Sequence, residues 1–168
     1  MLALKSIGGI YDDVETLATN WVPSVDITNK INTALANLRG SENRHIVNRT
    51  VAGMQRAQDA INADLTKLQQ RMKRYEGLIS VPEEREAYGK FKEKLSSYML
   101  LHDKLVALSL AGNKDEAADL LTSDMRMVYD EMDTQADKFR DVNVSGRCHV
   151  VRLIPDKAFA DELTQLRR

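Results

Sequence analysis

The chain is poor in the residues that staple, break or stiffen a fold. Only one of its 168 residues is cysteine, Cys148, which excludes an intrachain disulfide and every multi-cysteine metal motif. Three prolines and eight glycines leave long stretches free of helix breakers. Aromatic residues make up 5% while methionine occurs seven times, a balance that favours helix-on-helix packing over a sheet sandwich. No run of about 18 apolar residues occurs, so no spanning helix is expected within the chain. The formal net charge of −1 supplies no basic excess for tracking phosphates, which argues against nucleic acid as a partner.

What is present is helical periodicity over a chain long enough for one ordinary core, with 43% hydrophobic and 29% charged residues. A first helix is expected from about Leu2 to Val47, on the order of 70 Å at about 1.5 Å per residue, with Ile7, Ile10, Val14, Leu17, Trp21, Val25, Thr28, Ile31, Leu35 and Leu38 at helical spacing. Pro23 lies inside it and should kink it, since it lacks a donor and crowds the preceding turn. Met54, Ala57, Ile61, Leu65, Leu68, Met72, Tyr75 and Ile79 form the seam of a second helix, the strongest periodic signal in the chain. Ser80-Val81-Pro82-Glu83 reads as a capping box that opens a third, with the stripe Tyr88, Phe91, Leu95, Tyr98, Leu101, Leu105 and Leu108. Gly112 then fits the position just past a helix end and Asn113 the start of a fourth helix, whose seam is Ala118, Leu121, Met125, Val128, Met132, Ala136 and Phe139. Short turns between long amphipathic helices make antiparallel neighbours. The fold class is all-α, an up-down-up-down four-helix bundle with long helices.

The bundle is expected to span residues 1–142. From Asn143 to Arg168 the periodicity lapses at Val144-Ser145-Gly146-Arg147-Cys148-His149-Val150-Val151, and Pro155 limits any helix beyond. This tail reads as atypical sequence, of vector origin or otherwise, so Cys148 and His149 carry no functional weight. At the other end, Met1-Leu2-Ala3-Leu4 before Lys5 is too short for a signal peptide and fits the trimmed end of a membrane segment.

The most informative segment runs from Leu38 to Arg49. Ile31, Leu35 and Leu38 occupy one helical face, and the next positions on that line are Glu42, His45 and Arg49, with Arg39 and Arg44 flanking it. A core seam that turns basic at a helix tip is a candidate site for an anion. In an antiparallel bundle Arg39 lies level with residues 122–126, and Thr122, Arg126 and Tyr129 share one flank of the fourth helix. Arginine forks suit carboxylates, hydroxyls complete an anion's acceptors, and a helix N-terminus adds a positive dipole end. The candidate ligand-binding set is therefore Arg39, Glu42, Arg44, His45, Thr122, Arg126 and Tyr129, and an organic acid is the expected ligand. The plain alternative pairs Arg126 with Asp130 or Glu42 as a surface ion pair.

Asn20-Trp21-Val22-Pro23-Ser24, the segment Leu38 to His45, and Ala107-Leu108-Ser109-Leu110-Ala111-Gly112-Asn113-Lys114-Asp115-Glu116-Ala117 together resemble three landmarks of the four-helix-bundle sensor domain of bacterial methyl-accepting chemotaxis receptors. The resemblance covers about residues 5–142. It implies a periplasmic domain of a homodimeric inner-membrane receptor, joined to the membrane through helices missing from this chain. It further implies a ligand at the membrane-distal dimer interface and signalling through a shift of the fourth helix. By position Arg39 and Arg44 match the family's arginine role and Thr122 its threonine role. The arginine spacing departs from that of the aspartate receptor, which argues against carrying over its amino-acid specificity; a di- or tricarboxylate such as malate or citrate is the preferred expectation, with an aromatic acid second.

Two other functions fit parts of the sequence. Glu42-Asn43-Arg44-His45 has the Glu-x-x-His spacing of di-metal bundles, but no second such element occurs and the adjacent arginines would repel a cation. A ligand-free helical interaction module fits the periodicity equally well. No catalytic residue, cofactor or metal is expected.

Overall fold

The computed structural model describes residues 11–166, with side chains described for 11–149 and 151; the expected start of the first helix at Leu2 lies outside this range. The described residues are almost wholly helical and contain no strand. Residues 11–16 are helical, a π turn follows at Leu17–Trp21, and α1 continues as Val22–Val47. Then come α2 (Val51–Glu76), α3 (Pro82–Leu110), α4 (Lys114–Thr122) and α5 (Asp124–Leu166). The segments α4 and α5 together make the fourth helix, and the architecture is a four-helix bundle. The turns 48–50 and 111–113 form one end, the tip. The 77–81 turn marks the other.

Pro23 sits in the first turn of α1 without ending the helical path. The π turn before it carries the bond from Val22 N–H to Leu17 O, and this widened turn accommodates a ring that would crowd an ordinary one. The turn is anchored from outside as well, because Asn20 Nδ2 donates to Leu78 O at 2.7 Å. At the start of α3, Glu84 rather than Glu83 supplies the carboxylate. It accepts from Ser80 N at 2.9 Å and Val81 N at 3.3 Å, satisfying donors that a helix start leaves open. At the tip Gly112 adopts φ +87°, while Asn113 N bonds Leu108 O and Gly112 N bonds Ser109 O. That double closure is the Schellman arrangement, in which glycine takes the left-handed position at little cost.

The fourth helix departs from the continuous seam expected of it. It breaks at Ser123, with φ −106° and ψ −99°. Thr122 Oγ1 and Ser123 Oγ donate back to the carbonyls of Ala118 and Asp119, an alternative to the helical ladder that favours a bend. The seam before the break is Ala117, Leu120 and Leu121; after it come Met125, Met132, Ala136 and Phe139. Helix α5 runs on past residue 142. Asn143 is fully buried and donates to Tyr75 Oη and Phe139 O, and Gly146 lies under the Trp21 ring.

Two apolar clusters fill the interior. The one away from the tip holds Ile31, Leu35, Leu68 and the mutually packed rings of Tyr75, Tyr88, Phe91 and Phe139, with centroids 5.0–6.0 Å apart. The other, toward the tip, gathers Leu38, Ile46, Ile61, Leu105, Leu121 and Met125. Burial of each such side chain contributes about 1.5–3 kcal/mol.

Candidate functional site

The Leu38–Arg49 segment reaches the tip as the last turns of α1, and its polar residues divide among three surroundings. Glu42 and His45 continue the seam into the interior, where both are fully buried. Glu42 accepts from Tyr98 Oη at 2.5 Å and from His102 Nδ1 at 2.7 Å, so each carboxylate oxygen already has a donor from α3. Burial, then the neighbouring carboxylate, raises the Tyr98 phenol well above its ordinary value, against the smaller opposing effect of Arg39. The phenol therefore acts as a donor. Beside this network Ser41 Oγ donates to Asp64 Oδ2 at 2.9 Å, tying α1 to α2.

His45 belongs to a separate network. Its Nδ1 lies 2.8 Å from Ser109 Oγ, while Lys114 Nζ donates to Ser109 Oγ at 2.7 Å and to the His45 carbonyl at 3.0 Å. Burial, then the charge of Lys114 and the neighbouring His102, hold the imidazole below its ordinary value. The two side chains of Glu42-Asn43-Arg44-His45 thus serve different partners. Among the described residues no group of three or more His, Cys, Asp or Glu is placed to hold a metal ion.

Arg39 faces the fourth helix. Its Nη2 donates to Leu121 O at 3.0 Å, in the last turn of α4, where carbonyls lack their helical donors because the helix ends at Thr122. The guanidinium lies 5.0 Å from the centre of the Tyr129 ring, and Nη1 is buried with no hydrogen-bond partner. Arg39 therefore spans the break, holding the end of α4 with one nitrogen and lying against α5 with its flat face.

Thr122, Arg126 and Tyr129 follow at steps of four and three along this flank. Thr122 and Arg126 are exposed and Tyr129 is half-buried. Arg126 pairs with Asp130 at 3.7 Å, so the plain reading of that side chain holds for its present partner. Arg44 is exposed too, and donates to Ser41 Oγ at 2.6 Å on the α2 side of α1. The structure accordingly brings Arg39 and Tyr129 together at the α4–α5 break, while Thr122 bonds back within α4 and Arg126 pairs with Asp130 on the exposed side of α5. It assigns Glu42 and His45 to internal contacts and sets Arg44 apart.

Sequence reasoning missed Tyr98 and His102 as partners of Glu42. The signal was available: Tyr98, His102 and Leu105 are spaced by four and three on the buried line of α3, so a histidine on that line needs a polar partner across the bundle. A cleft of about 620 Å³ lies between α3 and α5 far from Arg39; its lining has Glu83, Glu86 and Asp141 against Lys90 and Lys138, an unsuitable balance for an acid.

No helix among the described residues is long and apolar enough to cross a membrane. No curated protein matches the chain. A family model described as a four-helix-bundle sensory module for signal transduction matches residues 2–146. The members of that family are extracytoplasmic sensor modules of membrane-bound chemotaxis receptors, and the bundle described above has their architecture. The chain therefore belongs to the four-helix-bundle sensory modules of chemotaxis receptors.

Proposed function

We propose that the chain is the periplasmic ligand-binding domain of a homodimeric bacterial inner-membrane chemotaxis receptor, and that it binds a small di- or tricarboxylate, such as malate or citrate, at the α4–α5 break. The observation that carries this reading is the half-buried Arg39, with Nη1 lacking a partner beneath the Tyr129 ring. Movement of that ring opens Nη1 to a carboxylate, which then takes up a charge-assisted bond the protein leaves unmade. A second carboxylate on the same ligand meets Arg126, whose exposed pair with Asp130 is worth only about 0–1 kcal/mol and is readily exchanged. Thr122 supplies a hydroxyl, and the break gives α5 an N-terminus of its own beside it, where negative charge is favoured. Glu42 and His45 enter as positioning residues, because they hold α1 against α3 and set the height of Arg39.

The outer face of α1 supports the dimer. Asn29, Thr33, Ala36, Asn37, Gly40 and Asn43 recur at steps of three and four, and this uncharged, mostly small stripe is exposed or half-exposed. A second copy packed along it could approach closely, with Arg44 at the edge of the contact. Signalling then uses the break. A ligand that draws the start of α5 toward Arg39 favours one axial position of α5, and shifts of about 1–2 Å are typical of such helix movements. A thermal-shift screen of organic acids and amino acids at matched pH and ionic strength is the test. Saturable stabilisation by di- or tricarboxylates supports the reading, and a flat response across the panel from a folded dimer counts against it.

A further inference from the structure

The tip of the bundle carries a second cleft, separate from the Arg39 site. Its volume is about 360 Å³, and it lies between the first turns of α2 and the last turns of α3. Val51, Met54, Val106 and Leu110 form its apolar walls, and His45, Gln55 and Gln58 are its polar lining residues, with the Gln55 amide donating to Asp59. Val51 and Leu110 are 81% and 61% exposed, so the cleft has an apolar mouth open to solvent.

The polar atoms can be assigned by counting protons. The hydroxyl of Ser109 has one hydrogen, donated to the His45 carbonyl at 3.1 Å, and one lone pair receives Lys114 Nζ at 2.7 Å. With that proton given to the carbonyl, Ser109 offers His45 Nδ1 a lone pair, and the tautomer that serves all three contacts at once has Nδ1 as the donor. In the neutral imidazole Nε2 is then a bare acceptor, and it is buried with no protein partner. Burial and Lys114 favour that neutral ring. Gln58 donates through Nε2 to Asn62 Oδ1 at 3.2 Å, which leaves Oε1 as a second buried acceptor without a partner.

Two unsatisfied acceptors and an apolar wall define the complement. An ionised acid would set its own acceptors against them. Lys114 cannot rescue it, since Nζ already donates to the His45 carbonyl, Ser109 Oγ and Met54 Sδ, one partner for each of its three protons. A cationic ligand would meet the charge of Lys114. We infer that the cleft binds a small neutral molecule with an apolar body and two hydrogen-bond donors, a phenol or diol, which on entry moves the walls enough to uncover the buried His45 Nε2 and Gln58 Oε1 and donates to both. His45 and Met54, which line the site, both bond Lys114, the first residue of α4, so an occupant would bear on the same helix as the acid site.

Resorcinol and its dimethyl ether, 1,3-dimethoxybenzene, test this by methyl and imidazole nitrogen NMR titration, since they share a ring and differ in the donors. Resorcinol should shift the methyl signals of Val51, Met54, Val106 and Leu110 saturably and move the His45 Nε2 resonance, with the ether at least about tenfold weaker. Gln58→Leu should weaken resorcinol severalfold and leave the ether unchanged, Val106→Phe should block both, and Arg39→Gln should affect neither. Equal binding of the two probes, no response to resorcinol up to its solubility, or full binding to folded Val106→Phe would overturn the inference. Loss of resorcinol binding in Arg39→Gln would overturn the separation of the two sites.

Discussion

Removal of one oxygen, by Tyr98→Phe, tests whether the buried Glu42 network holds the tip of the bundle together. Tyr98 is 1% exposed and its hydroxyl donates to Glu42 Oε2 at 2.5 Å, while His102 serves the other oxygen. The substitution keeps the ring and its contact with Tyr129, 6.2 Å between centroids, so little apolar packing is lost. A hydrogen bond to a charged group is worth about 1.5–3 kcal/mol, and the Glu42 oxygen left behind is buried away from bulk solvent, which sets the expected loss near 2 kcal/mol. For a domain of this size that corresponds to a fall in Tm of roughly 4–8 °C. Tyr88→Phe provides the contrast, because the Tyr88 hydroxyl bonds Glu76 at 3.2 Å and Glu76 is itself solvent-exposed. Its loss should be no more than about 1 kcal/mol. Urea unfolding at fixed protein concentration, with m-values compared, gives both numbers. A loss under about 0.5 kcal/mol for Tyr98→Phe, the range of ordinary surface substitutions, would refute the reasoning.

Other substitutions probe the remaining contacts. Gly146→Ala places a Cβ within 2.4 Å of the Trp21 ring and should cost about 1–3 kcal/mol by overpacking, read by unfolding and by the emission of the chain's one tryptophan; an unchanged midpoint would mean that the ring moves freely aside. Gly112→Ala, at φ +87°, should cost about 1 kcal/mol with no change in ligand response. His45 is held below the ordinary histidine value of 6.5, so the unfolded chain binds the proton more readily. Its contribution to stability is complete above about pH 6.5 and declines as pH falls below that toward the lower folded value. His45→Gln should therefore flatten the stability profile below pH 6.5 relative to the parent, and parallel profiles would contradict this assignment.

Periodicity carried the fold because long helices with one apolar stripe leave few other ways to bury Ile31, Leu68, Phe91 and Phe139 together. Height along antiparallel helices also placed Arg39 beside the start of the fourth helix, and it meets Leu121 and Tyr129 there. Periodicity is blind to local competition for backbone bonds. The break at Ser123 comes from Thr122 and Ser123 bonding back to the preceding turn, and the widened turn before Pro23 from the geometry of its ring, both written in single residues rather than in a repeat. Polar residues on a seam suit a ligand or a buried partner equally, and Glu42 and His45 have their partners in α3, on a line whose histidine the apolar pattern passes over. Asn143 and Gly146 lie where that pattern fades, but a buried amide and a missing side chain under Trp21 join them to the bundle all the same.

Calorimetric titration of malate and citrate into the parent chain and into Arg39→Gln tests the proposed sensor most directly, with folding of both checked by circular dichroism. At least one acid should bind the parent saturably, with affinity lower by tenfold or more in the variant, as expected when a charge-assisted bond of about 1.5–3 kcal/mol is lost. Equal affinity in a folded Arg39→Gln variant, or no binding of either acid to the parent, would contradict the proposed sensor.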